Sequence, residues 1–157
     1  MRGFESFLEA LPAILTSPTF LIVAAAWFSA QLTKVALHYL RTHKLNWKLL
    51  TETGGMPSSH SAFVTSMTTC MGLSQGWTSG PFLVALGISI IIMHDAAGLR
   101  MAAGRQATLL NQIVAGLYEG RKAKPPKMKE LLGHSPLQVL SGALLGMLVA
   151  FCLYPAK

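Results

Sequence analysis

A run of small and hydroxyl-bearing residues, Gly54-Gly55-Met56-Pro57-Ser58-Ser59-His60-Ser61-Ala62, stands directly before an apolar stretch. Pro57 suits the edge of a helix, and Ser58 or Ser59 can cap it. The first N–H groups of such a helix face the loop without partners, at the positive end of the helix dipole, which suits an anion such as phosphate. His60 brings an acid–base group to the same place.

Other ionisable residues sit where hydrocarbon is expected. Gln31, Lys34, His38 and Arg41 fall at offsets 0, 3, 7 and 10, which puts them within roughly an 80° arc of one helix face. An ionisable group inside a span costs at least ~2.5 kcal/mol, so its default reading is a functional site; the alternative is that Lys34 and Arg41 snorkel to a basic interface. His94-Asp95 opens the segment HDAAGLRMAAGRQ, and a buried Asp95 would need a cationic partner or would form a structural Asp–Arg or Asp–Lys pair. A further histidine, His134, precedes Ser135-Pro136-Leu137-Gln138 at the head of another apolar run. Gln138 lies four residues on, where its amide could bond the imidazole and fix a tautomer.

The elements that must carry these residues are apolar helices. The chain has 157 residues, 52% hydrophobic and 12% charged, a balance that reads as one small integral membrane domain over 1–157 rather than a water-soluble fold. Residues 20–40, 60–77, 82–103 and 136–154 each approach the ~20 residues that cross a bilayer. The expected fold is therefore an all-α polytopic membrane bundle of about four spans. Residues 1–18 carry two acids and a proline but neither the basic start nor the cleavage site of a signal peptide, and are expected to form an interfacial helix. The turn Trp77-Thr78-Ser79-Gly80-Pro81 should join spans two and three as an antiparallel hairpin. Residues 105–119 have helical spacing and should extend or follow the third span. Residues 120–130, with two prolines and clustered cations, are expected to be a flexible basic loop able to touch anionic headgroups. Cys70, Cys152, Met67, Met71 and Met93 read as packing residues, and no metal site is visible.

The net charge of +7 does not point to nucleic acid, because topology explains it. Ten of the 13 Lys/Arg follow the first span (Arg41, Lys44, Lys48) or the third (Arg100, Arg105, Arg121, Lys122, Lys124, Lys127, Lys129). Both loops share one face of the membrane, which the positive-inside rule makes cytoplasmic.

The segments GGMPSSHSA, DAAGLRMAAGRQA and LLGHSPLQVLSGALLG resemble the type 2 phosphatidic acid phosphatase superfamily, which includes the vanadium haloperoxidases, and more closely its short divergent membrane branch. The family's first motif, Lys, six residues, Arg, Pro, has its spacing in Lys34 and Arg41, with Thr42 for the proline. Pro57-Ser58-Ser59-His60 resembles Pro-Ser-Gly-His. His134, Pro136, Gln138 and Gly142 match the His-x-Pro-x-Asp-Val-x-x-Gly form of the third motif, with Gln138 in place of the aspartate and Met128 where its arginine is expected. The resemblance implies that Lys34, Arg41, Ser58, Ser59 and Arg100 bind phosphate, that His134 is the nucleophile and that His60 is the general acid. It implies no cofactor or metal. Asp95, Gln138 and Lys129 would be supporting residues; without an aspartate at Gln138, His134 is the weaker base unless Asp95 or Glu130 substitutes.

The function expected is hydrolysis of a phosphate monoester or diphosphate, a lipid phosphate, through a phosphohistidine intermediate. A phospholipid or a polyprenyl phosphate would be the substrate and the bilayer the medium; homo-oligomerisation is left open. So small a bundle argues against a haloperoxidase holding vanadate. The expected location is a bacterial inner membrane with the active site facing the cytoplasm. Two rivals are a non-catalytic lipid-phosphate binder or transporter on the same fold, which Gln138 favours, and a structural subunit whose polar residues lock helices together.

Overall fold

The computed structural model describes residues 2–51, 55–118 and 135–155, with the side chains of Arg2, Gly3, Leu99, Arg100, Met101 and Ala103 outside the description. All regular structure among these residues is helical: α1 (Arg2–Thr16), α2 (Pro18–Thr42), a 3-10 turn (Trp47–Leu50), α3 (Ser59–Gln75), α4 (Gly80–Ala97), α5 (Leu99–Leu117) and α6 (Pro136–Leu153). The chain is a helical membrane bundle.

Serine starts four of these helices. Ser17, Ser58, Ser79 and Ser135 each occupy an N-cap, their side chains accepting from the N–H of Phe20, Ser61, Phe82 and Gln138. Pro18, Pro81 and Pro136 follow within the first turn of three of them, where the missing N–H costs nothing. Helix α2 ends at His43, whose left-handed backbone (φ 52) lets its N–H close on Tyr39 O at 2.7 Å.

Three described helices, α2, α4 and α6, are long and apolar enough to cross a membrane. Helix α3, expected as a fourth span, has 17 residues and is rich in Ser and Thr. It can afford that polarity because it is the hub, packed against α2, α4 and α6. Its hydroxyls bond to its own carbonyls, as Thr65 does to Ser61 O (2.7 Å) and Thr69 to Thr65 O (2.8 Å). Others cross to a neighbour: Ser89 of α4 lies 2.7 Å from Thr68 Oγ1 and donates to Val64 O at 3.1 Å.

The most extensive helix contact among the described elements is between α3 and α6. Gly142, Gly146 and Ala150 recur every four residues on the buried stripe of α6. A Cβ at Gly142 would strike the Ser58 backbone, and one at Gly146 the carbonyl of Ala62 and the hydroxyl of Thr65. The small residues let the two backbones approach. Leu140, Leu144, Leu148 and Phe151 point outward from the same helix, as Leu83, Val84, Ile90 and Ile91 do from α4. At the end away from the basic loops, Trp77 stacks edge-on against Phe82 (5.4 Å) and near Phe151 (6.1 Å), anchors of the kind found at a membrane interface.

Two expectations need correction. The third span stops at Ala97 instead of continuing to about residue 103: Gly98 departs from helical geometry (φ −101, ψ −72) although its N–H still reaches His94 O at 2.8 Å. Glycine is the weakest helix former after proline, and it separates α4 from α5. Asp95, expected to be buried, is exposed in the last turn of α4, as are His94 and the thiol-bearing Cys152 of α6. Helix α5 follows as a separate element, in contact with α4 alone among the described elements. Helix α1 forms the expected separate N-terminal helix, with Pro12 inside it and Phe4, Phe7, Leu8, Ile14 and Leu15 exposed.

Candidate functional site

The C-terminal half of α2 and the N-termini of α3 and α6 meet at the end of the bundle that carries the basic loops. Lys34 projects from α2 into this junction and is only 4% exposed. Its ammonium donates to Gln31 Oε1 at 2.7 Å and to Ser59 Oγ at 3.2 Å. Both acceptors are neutral, and among the described residues Lys34 has no carboxylate partner. An ammonium has three donors, so one direction is left for a further acceptor. Gln31 is itself fixed: its Nε2 donates to Leu50 O at 2.8 Å, which ties the 3-10 turn to α2.

The loop before α3 closes over the lysine stem. Gly55 has φ 81, a conformation that side chains rarely adopt, and a Cβ there would lie 3.7 Å from Lys34 Cδ. Ser58 is fully buried and caps α3 through its side chain, accepting from Ser61 N–H at 3.3 Å. Its own N–H donates to Gln138 O at 2.9 Å. That bond stitches the start of α3 to the first turn of α6. It also means that the Ser58 amide is engaged, so the phosphate donors expected at Ser58 and Ser59 reduce to those of Ser59. The N–H of Ser59, first in α3, makes no hydrogen bond among the described residues, and its hydroxyl already faces the Lys34 ammonium. His60 follows at the second position of α3 and is half-buried.

The polar stripe of α2 therefore runs from dry to wet. Gln31 and Lys34 are buried, His38 is half-buried and Arg41 is exposed, about 10 Å beyond Lys34 along the helix. Gln138 has a role that was not foreseen: Ser135 Oγ accepts from Gln138 N–H (3.3 Å) while Gln138 Oε1 accepts from Ser135 N–H (3.1 Å), a capping box. The signal was present in Ser135-x-x-Gln138. Gln31 and Gly55 were likewise legible only in part, one as a member of the stripe and the other as a flexible residue. His134 and Lys129 lie outside the described residues, and Arg100 falls in the first turn of α5 with its side chain outside the description. Asp95 faces outward. Among the described residues, no three His, Cys, Asp or Glu side chains group so as to hold a metal ion.

The junction thus joins a buried cation, Lys34, to the N-terminus of α3. A model described as the divergent PAP2 family matches residues 15–149. The chain belongs to that family. The chain is also similar to the uncharacterized membrane protein YuiD of Bacillus subtilis (strain 168), 40% identical over 151 residues that cover 89% of this chain and 96% of the relative. No solved structure matches. With three described helices long and apolar enough to cross a bilayer, this divergent PAP2 protein is an integral membrane protein.

Proposed function

We propose that the chain is a membrane phosphatase that hydrolyses a phosphate monoester or diphosphate carried on a lipid, through a phosphohistidine intermediate. The observation that supports this most is Lys34: a buried ammonium beside a helix N-terminus, held by neutral acceptors. A buried charge without a counter-charge costs several kcal/mol, and a bound phosphate would offset that cost. In this reading Lys34 and the Ser59 amide and hydroxyl bind the phosphate, with Arg41 and Arg100 supplying charge from the rim. His134 attacks phosphorus in line, forming an N–P bond as the P–O bond to the leaving group breaks, and His60 gives that alkoxide its proton. His60 then takes a proton from water, which attacks phosphorus and releases His134 and inorganic phosphate. The site faces the cytoplasm of a bacterial inner membrane, the side on which the Lys/Arg loops lie.

Gln138 favours a second reading, a lipid-phosphate binding or transport protein. Its side chain is occupied in the capping box, whereas the family's aspartate at this position would charge and orient His134. Phosphate release from a panel of lipid phosphates, measured on purified protein beside His134→Ala, decides between them. Release that His134→Ala abolishes supports the hydrolase; tight binding of the same lipids with no release supports the binder.

A further inference from the structure

One groove on the lipid-facing side of the bundle lies on the same two helices as Lys34 and Ser59. It encloses about 270 Å³ between α2 and α3 and is lined by Phe20, Val23, Ala24, Trp27 and Phe63. Phe20, Trp27 and Phe63 are 43%, 41% and 42% exposed, large rings left open rather than packed. On α2, Phe20, Val23, Trp27, Gln31 and Lys34 recur at spacings of three and four, so the groove and the lysine share one helix face. On α3, Phe63 lies one turn below Ser59, the residue that touches the lysine. The aromatic groove and the Lys34 ammonium thus lie on the same pair of packed helices, with the cation nearer the start of α3.

Trp27 is out of place for an anchor. Tryptophans of spanning helices favour the membrane interfaces, but Trp27 stands nine residues into a 25-residue helix, about 14 Å along the axis and so well inside the span. Lys34 is about 10 Å above it. An anionic headgroup at Lys34 with a hydrocarbon chain running down past Trp27 toward Phe20 matches both the charge and the apolar lining. Resting on the phosphate-binding reading above, we infer that the α2/α3 groove is the acyl-chain subsite for the lipid whose phosphate binds at Lys34. Hydrocarbon around the bundle is as apolar as the groove, so the chain contributes alignment more than raw affinity. The headgroup determines whether a given chain settles there.

Trp27 reports its own occupancy once Trp47 and Trp77 are replaced by Phe in the full-length protein in detergent. The probes are a non-hydrolysable alkyl phosphonate with a bromine midway along its chain, which quenches indole fluorescence on contact, and a neutral alkyl glycoside with the same brominated chain. The phosphonate should quench Trp27 saturably, at a concentration about ten-fold below that needed by the glycoside, because it alone makes the charge-assisted bonds to Lys34. Lys34→Met should erase the difference, and Ala24→Phe, which fills the groove from an exposed position, should cut the depth of quenching. Equal quenching by both probes, or a difference that survives Lys34→Met, would make the groove ordinary lipid-facing surface and overturn the inference. Phosphate release separates the two proposals. Hydrolysis without headgroup-dependent quenching overturns the groove alone, whereas headgroup-dependent quenching without hydrolysis supports the groove and removes the hydrolase.

Discussion

Replacing Lys34 by methionine removes the charge while keeping most of the volume, and the structure makes the two consequences differ in sign. In the ligand-free protein the ammonium makes two hydrogen bonds, to Gln31 Oε1 at 2.7 Å and Ser59 Oγ at 3.2 Å. Bonds from a charged donor are worth roughly 1.5–3 kcal/mol each. Against them stands the desolvation of an ammonium, several kcal/mol even after relaxation. The two sums nearly cancel, so Lys34→Met should leave the melting temperature unchanged or raise it slightly. The ligand response should instead collapse. Orthovanadate at about 100 times its dissociation constant stabilises a binding protein by ~2.7 kcal/mol, which for a chain of this length is roughly 5–10 °C. Wild type should show that shift in a detergent thermal melt, and Lys34→Met should show about a tenth of it. A ligand-free variant destabilised by several degrees that still responds fully to vanadate would mean that Lys34 is a structural strut and that the anion site lies elsewhere.

Further outcomes follow from other parts of the bundle. Gly146→Ala drives a Cβ into the Ala62 carbonyl and Thr65 hydroxyl and should cost about 1–3 kcal/mol in thermal melts, whereas Gly87→Ala on α4 meets nothing within 4 Å and should be neutral or mildly stabilising. His134→Ala and His60→Ala should lower turnover by orders of magnitude with the fold intact, while His38→Ala and His94→Ala should be milder; equal losses in all four would remove the assigned roles. Gln138→Glu retains the capping-box pattern and adds a carboxylate four residues beyond His134, so phosphate release should hold or rise, with Gln138→Asp less stable because its shorter arm cannot close the box. Single cysteines replacing Lys44 and Lys124 should react with membrane-impermeant reagent only from the cytoplasmic side, and labelling from outside would reverse the topology.

Much of this architecture was legible because membrane helices leave coarse signals. The apolar runs located both ends of α2 and α6, and the start of α4, to within two residues. Lys34 stood out because hydrocarbon makes a charge conspicuous. The break at Gly98 was hidden, since a glycine within an apolar run is common in membrane helices and only tertiary context decides whether it ends one. The position of Asp95 followed from that break and from which face of α4 turned inward, neither of which the helical period alone determines. The engagement of the Ser58 amide was invisible for another reason: its partner, Gln138 O, is a backbone atom of a helix 80 positions away in the chain, and sequence motifs do not record backbone acceptors.

The polarity of α3 bears on how the chain enters a membrane at all. A 17-residue segment carrying this many hydroxyls partitions poorly by itself, even with several of them bonded back to its own carbonyls. Its short turn to α4, from Gly76 to Ser79, makes the two helices a natural unit of insertion, the apolar one drawing the polar one in. The surfaces that finally enclose α3 come partly from α6, which follows it by about 60 residues in the chain. Until α6 arrives, the face of α3 that meets Gly142 and Gly146 has no partner. The Lys34 junction, which includes the start of α6, is therefore completed only once α6 has been made, and a ribosome-bound chain halted before α6 should remain exposed to membrane quality control.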